Sequence, residues 1–218
     1  MKKLIGLILV TLITVTCCIA GTVTIKLSTD ADAQIFVNGS LVSSGKAEIK
    51  VSKNSKVNVK VKKAGYISEE RNYNNDGVMK LPKSEFITLQ KDASYASSST
   101  NDLANRDIDI KTDKTEEDAW KKLSSIITGT FDVIEVTDKS TGYLRTAWAV
   151  EKFGPVTIRT RLVIKMGNDN PLSYKVKIIS ERSEIALNAR EDEKFETWDR
   201  LLRKYDNVIP EMQSRLSK

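Results

Sequence analysis

The sequence has 218 residues, with 35 Lys and Arg against 29 Asp and Glu for a net charge of +6, and 40% hydrophobic residues. It contains no histidine and only two cysteines, Cys17 and Cys18. The missing histidine removes Ser-His-Asp and Cys-His hydrolases, His-ligated zinc and histidine general bases, and an ordinary apolar share supplies modest cores rather than one large one.

Lys2 and Lys3 precede the apolar run Leu4 to Val15. They read as the n- and h-regions of a secretory signal, too short to span a bilayer as a mature helix. Residues 1–20 are therefore set apart from the fold. Two readings of their end stand. Small residues at Cys18 and Ala20 suit cleavage before Gly21, and both cysteines then leave with the signal. In the other reading Cys17 or Cys18 is a lipobox cysteine that becomes the acylated first residue. Cys17 lies at a suitable distance from Lys3, although Thr14 and Thr16 replace the usual residues before it. A disulfide between adjacent cysteines is strained. Under either main reading the folded part holds together by packing alone, in a compartment that would permit bridges. The expected location is the periplasm or cell envelope, with an outer-membrane lipoprotein as the acylated case.

Residues 21–90 read as a small all-β domain. Val23, Ile25 and Leu27 alternate with Thr24 and Lys26, and Ile35 and Val37 with Gln34 and Phe36. Ala47, Ile49 and Val51 continue the pattern, as do Val57, Val59 and Val61. Asn38-Gly39 predicts a type I′ hairpin turn, which needs positive φ at both central residues. Asn38-Gly39-Ser40 is also formally a glycosylation sequon, but the turn chemistry accounts for Asn-Gly without it.

The stretch Ala33-Gln34-Ile35-Phe36-Val37-Asn38-Gly39, followed by Lys63-Ala64-Gly65-Tyr66, resembles the PEGA family of surface and envelope β-domains. The opening Gly21-Thr22-Val23-Thr24 fits that family's first strand. The chain departs from the family pattern after the hairpin, where Ser43-Ser44-Gly45-Lys46 replaces the usual Thr-Pro. The resemblance implies a β-sandwich without a catalytic site, located in the envelope and binding carbohydrate or other envelope material.

Residues 91–105, KDASYASSSTNDLAN, are small and polar without a period, and read as a linker. Residues 106–218 read as an α+β domain of order (β)αββββα, an antiparallel sheet with helices on one face. Ile108 and Ile110 suggest a short strand. Thr115 followed by Glu116, Glu117 and Asp118 predicts a helix start, with Trp120, Leu123 and Ile127 on its apolar face. Four strands are expected at about Phe131–Thr137, Tyr143–Val150, Val156–Met166 and Tyr174–Glu181. A last helix is expected from Asp192, with Phe195, Trp198, Leu202, Tyr205 and Ile209 as its stripe, kinked or ended by Pro210. The stretch from Asp118 to Trp148 resembles helix-grip or TATA-binding-protein-like domains of envelope lipoproteins, including an accessory subunit of the outer-membrane β-barrel assembly machine.

Residues 21–92 carry twelve Lys and Arg against eight Asp and Glu, and residues 93–218 carry twenty-one of each. Lysines spaced along strands look like solvated faces rather than a nucleic-acid stripe, so no nucleic acid partner is expected. No phosphate loop or dinucleotide fingerprint occurs. Ser43-x-x-Lys46 falls in a turn and is not read as an acylase pair. Asp107 and Asp109 lack companions for a cation cage, and Glu191-Asp192-Glu193 read as acids at a helix start. No catalytic residue, metal or cofactor is expected.

One constellation carries a functional expectation. If Leu144, Thr146 and Trp148 face the core with Ile158, Thr160, Leu162 and Ile164, the opposite sheet face collects Arg145, Arg159, Arg161, Lys165, Lys175 and Lys177. The candidate ligand face is Arg145, Arg159, Arg161, Lys175 and Lys177, because guanidinium groups can hold phosphate or carboxylate bidentately. The competing reading is an antiparallel face kept in water by long cations. The expected function is a non-catalytic binding module for an anionic glycan or lipid headgroup of the envelope. The alternative is a structural or accessory subunit docking on another envelope protein. An enzyme is not expected.

Overall fold

The computed structural model of the chain describes residues 21–185, 188 and 190–217. Cys17 and Cys18, and with them the two readings of the leader, lie outside the described residues. The fold is mostly strand, with several sheets and few helices. It divides into two compact units, the first made of residues up to Lys60 with Glu70–Ile87, the second of Val61–Glu69 with Thr88 onward.

The first unit is built from β1 (Val23–Ser28), β2 (Gln34–Val37), β3 (Ser40–Ser44), β4 (Lys46–Val51), β5 (Lys56–Lys62), β6 (Glu69–Asn74) and β7 (Ser84–Phe86). They form two sheets, β4-β1-β7 and β3-β2-β5-β6. Period-two alternation gives each sheet one apolar face. Ile25, Leu27, Ile49 and Val51 are buried on one sheet, and Ile35, Val57 and Val59 on the other. Asn38 and Gly39 turn β2 into β3 with φ of 48° and 83°, as a type I′ turn requires. Gly45 has φ 72°, and a Cβ there would stand 3.0 Å from the Ala31 backbone. This is a close approach that only glycine fits. The Ser43 hydroxyl donates to the Lys46 carbonyl at 2.6 Å, so Ser-x-x-Lys is a turn contact.

The second unit contains α1 (Ala93–Ala96), β8 (Ser98–Thr100), β9 (Ile108–Lys111), α2 (Glu116–Thr130), β10 (Ile134–Asp138), β11 (Tyr143–Thr146), β12 (Ala149–Phe153), β13 (Val156–Asp169), β14 (Leu172–Ser183), β15 (Glu196–Thr197), β16 (Arg200–Leu202) and α3 (Val208–Leu216). The main sheet runs β10-β11-β13-β14-β15, with β12 also on β13 and β9 also on β14. The Thr115 hydroxyl accepts from the Asp118 N–H and caps α2, as its sequence suggests. Leu123 and Ile127 of α2 and Ile209 and Met212 of α3 share one core with Ile158, Leu162, Ile164, Tyr174, Val176 and Ile178 of the sheet. The rings of Phe131 and Tyr205 stack in that core, 5.0 Å between centres.

Three expectations are corrected. Residues 91–105 are not an unstructured linker. Asp92 caps α1, β8 pairs with β16, and the Asn105 amide donates to the carbonyls of Ser180 and Trp198 while accepting from the Ser180 N–H. Their polar side chains serve backbone groups, which leaves no apolar period to read. The long final helix is also absent. A 3₁₀ turn at Asp192–Lys194, the short strands β15 and β16, and a second 3₁₀ turn at Arg203–Tyr205 precede α3. The stripe spacing fails because Trp198 joins the core while Phe195 lies over Arg159 on the opposite sheet face. Pro210 sits inside the first turn of α3, where a missing N–H removes no helical bond.

The third correction concerns Tyr143–Val150, which is two strands rather than one. Leu144 pairs with Ile164 and Ala149 with Thr160, so five steps on one strand oppose four on β13. This one-residue bulge reverses the alternation. Leu144 and Thr146 face the core as expected, but Trp148 turns onto the basic face, against Arg159 and Arg161.

Candidate functional site

The long hairpin β13–β14 sets the register of the face opposite the helices. Arg159 stands across from Glu181, Arg161 from Ile179, Val163 from Lys177, and Lys165 from Lys175. β11 adds Arg145 beside Val163. Because side chains alternate, one odd-numbered row on β13 and one on β14 put all these groups on the same side.

Within that row the residues divide into two groups. Arg159 is only 3% exposed. Its guanidinium is ion-paired with Glu181 and Asp192 and lies between the rings of Trp148 and Phe195, 4.2 and 4.1 Å from their centres. Asp192, expected to stabilise a helix start, instead binds this arginine. Arg159 is therefore a fastening between the sheet and the 192–195 segment, and it does not line the open part of the face.

The other four expected residues come together. Arg145, Arg161, Lys175 and Lys177, with Lys165, Tyr143 and Asp107, surround a depression of about 190 Å³ floored by Val163 and Ile179. Two of the cations have acidic partners, Arg145 with Glu135 at 3.1 Å and Lys177 with Asp107 at 3.3 Å. Among the described residues, Arg161, Lys165 and Lys175 make no ion pair. Arg161 stacks on the other side of the environment that holds Arg159, 4.0 Å from the Trp148 ring centre. Its Nε is buried and has no hydrogen-bond partner. Burial disfavours its charged form, and the charges of Arg145 and Arg159 add to that, with Glu181 and Glu135 opposing. The result is an arginine fixed by stacking, with hydrogen-bonding capacity left over.

Such an arrangement can hold an anion. It offers two guanidinium groups, three ammonium groups and a phenol around an apolar floor, and no group placed as a nucleophile with its base. The described residues contain no cluster of three or more Asp, Glu, Cys or His side chains suited to a metal. The candidate ligand face read from the sequence leaves out Lys165, Tyr143 and Trp148. Lys165 was visible on the basic row. Trp148 was hidden by a bulge that no local residue pattern announces.

No protein-family model matches the chain, and no curated protein matches it either. No helix among the described residues is long and apolar enough to cross a membrane.

Proposed function

We propose that this is an exported, non-catalytic envelope protein whose second unit binds an anionic group of an envelope glycan or lipid headgroup in the basic depression. On this reading the first unit is a PEGA-like β-sandwich, supported by its type I′ hairpin and its two sheets with one buried face each. The antiparallel sheet with α2 and α3 on one face supports reading the second unit as helix-grip-like.

The observation that carries the function is Arg161, whose buried Nε lacks a partner, beside Lys165 and Lys175, which stand opposite each other on β13 and β14 and make no ion pair among the described residues, with Asp109 across from Lys175 on β9. Like charges directly opposite in a sheet destabilise it. A bound anion would relieve that repulsion and complete the hydrogen bonding. The volume of about 190 Å³ is below the ~300–1,000 Å³ of drug-sized sites, so it suits one phosphate or carboxylate group with the rest of the ligand outside.

Titration calorimetry of the full chain with inorganic phosphate, a glucuronate oligomer and a soluble phosphatidylglycerol tests the reading. Binding of at least one, weakened tenfold or more by Arg161→Glu with Lys175→Glu, is the expected result. Affinity unchanged in that double variant would remove the depression from the function.

A further inference from the structure

We propose that the end of the first unit formed by Gly21, the 52–55 turn and the 75–83 loop is a membrane-facing tip that places Val78 and Met79 in the headgroup region of an anionic bilayer. This inference concerns a different unit and a different surface from the anion site above.

Val78 and Met79 are 84% and 77% exposed, the highest values among the large hydrophobic residues described. Together they form a small exposed apolar patch of the kind that can serve as a contact site. The base of their loop is fixed. The Asn75 side chain donates to the carbonyls of Gly21 and Val51 at 2.7 and 3.0 Å. The Asn54 N–H donates to the Asn75 carbonyl at 2.7 Å, and the Asn75 N–H to the Ser55 carbonyl at 3.0 Å. Asp76 accepts from the Val78 N–H at 2.9 Å and from the Asn74 amide at 2.7 Å.

The loop is thereby tied to the point where the described chain begins. Residues 4–20, which precede Gly21, are almost wholly apolar. If Cys17 or Cys18 is acylated, at most three residues separate the lipid from Gly21, and so short a tether keeps this end at the bilayer surface. If the chain is cut before Gly21, the new α-amino group adds a positive charge at the same end.

The surrounding charge matches an anionic surface. Lys53 packs beside Gly21, where a Cβ on the glycine would come within 2.9 Å of its side chain. Lys56, Lys80 and Lys83 are exposed, Lys80 directly following Met79, and Asp76 is the only acid in residues 75–83. A single acyl chain or a short apolar segment holds a protein only marginally at a membrane, and a basic, partly apolar patch supplies the second signal. Exposed apolar residues followed by Lys80, on a loop tied to Gly21 and Lys53, fit that role better than they fit a protein surface of unspecified charge.

The test uses Val78→Trp in the full chain with vesicles of 70% phosphatidylcholine and 30% phosphatidylglycerol. The three native tryptophans, at 120, 148 and 198, all belong to the second unit and give the baseline in the parent chain. The added emission should be quenched by half or more when the phosphatidylcholine is dibrominated. Lys53→Glu with Lys80→Glu should weaken vesicle binding by about tenfold. Addition of 10 mM inorganic phosphate, which would occupy the anion site, should leave the quenching unchanged, which separates this surface from the anion site. A chain that stays in the supernatant overturns the proposal. So does a chain that sediments with vesicles while the added emission remains unquenched, which would point to a protein partner for the tip.

Discussion

The guanidinium of Arg159 lies over the indole of Trp148, 4.2 Å from the ring centre, and over the Phe195 ring at 4.1 Å. Glu181 and Asp192 bind its edge. Removing the cation leaves Glu181 partly buried without its partner and both rings without the charge between them. Each cation–π contact contributes about 0.5–2 kcal/mol, and breaking a buried pair costs about 3–5 kcal/mol. Asp192 is well exposed, so the lower part of that range applies. Arg159→Met should destabilise the second unit by about 2–4 kcal/mol, and Arg159→Lys by roughly half as much, since lysine keeps the charge but not the planar stack. Urea unfolding followed by tryptophan fluorescence checks this, because all three tryptophans report on that unit. Equal losses in the two variants would mean the charge contributes nothing beyond the planar stack.

The bulge at Ala147–Trp148 is held by Thr146. Its buried hydroxyl accepts from the Leu162 N–H at 3.0 Å, where the shifted ladder offers no backbone carbonyl. Thr146→Val keeps the shape and strands that N–H, at a cost of about 1–3 kcal/mol. Thr146→Ser keeps the acceptor and should cost under about 1 kcal/mol. If the valine variant were as stable as the serine one, the hydroxyl would not be what fixes the bulge. Loss of the bulge should also release Trp148 from Arg161, seen as a red shift in its emission.

Asp92 is 4% exposed, caps α1 through the N–H groups of Ser94 and Tyr95, and meets Arg182 at 2.8 Å. Burial alone would raise its pKa. The hydrogen bonds from Ser94 and Arg182, with the Arg182 charge, outweigh burial and hold it below the usual carboxylate value. A depressed folded pKa stabilises the fold in full above the unfolded value of about 3.9 and loses that contribution as pH falls through the folded value. Asp92→Asn retains a good cap but not the charge, and Arg182 keeps Glu184 at 3.0 Å. The variant should therefore be about 1–2 kcal/mol less stable at pH 7. Denaturant midpoints taken between pH 7 and pH 2 should converge below pH 4. A constant difference across that range would assign the effect to packing rather than charge.

These three residues show what the sequence makes legible. Strand faces with strict alternation, the Asn38-Gly39 turn and the Thr115 cap are local in origin, and each is found where its residues place it. The basic row was readable for the same reason, since Arg161, Lys165, Lys175 and Lys177 sit in two uninterrupted strands. Arg159 belongs to the same row, and only long-range pairing with Asp192 and Phe195 removes it from the open face. Residues 91–105 and 192–206 were misread because their structure depends on partners about a hundred residues away, as with β8 on β16 and Asn105 on Trp198. Polar side chains that satisfy distant backbone groups leave no periodic signal. Apolar residues that serve two faces of one sheet imitate a helical stripe.

Lys165 and Lys175 lie directly opposite each other between β13 and β14 and make no ion pair among the described residues, while Asp109 stands across from Lys175 on β9. Fold stability alone would favour an acid at position 165, since one at 175 would face Asp109. Lys165→Glu converts a repulsive pair into an attractive one and adds an acid to the depression that Arg161 lines. It should stabilise the second unit by about 0.5–1 kcal/mol at low salt, with most of the gain lost above 0.5 M NaCl as screening removes the repulsion in the parent. The same substitution should weaken phosphate or carboxylate binding. Thermal unfolding of parent and variant, each with and without 10 mM phosphate, reads both effects together. A variant that is more stable but no longer stabilised by phosphate means that the parent retains a strained cation cluster because it holds an anion. A variant less stable than the parent at low salt would mean the cluster is solvated surface, with the lysines kept apart by water, and the anion site would then have no energetic basis.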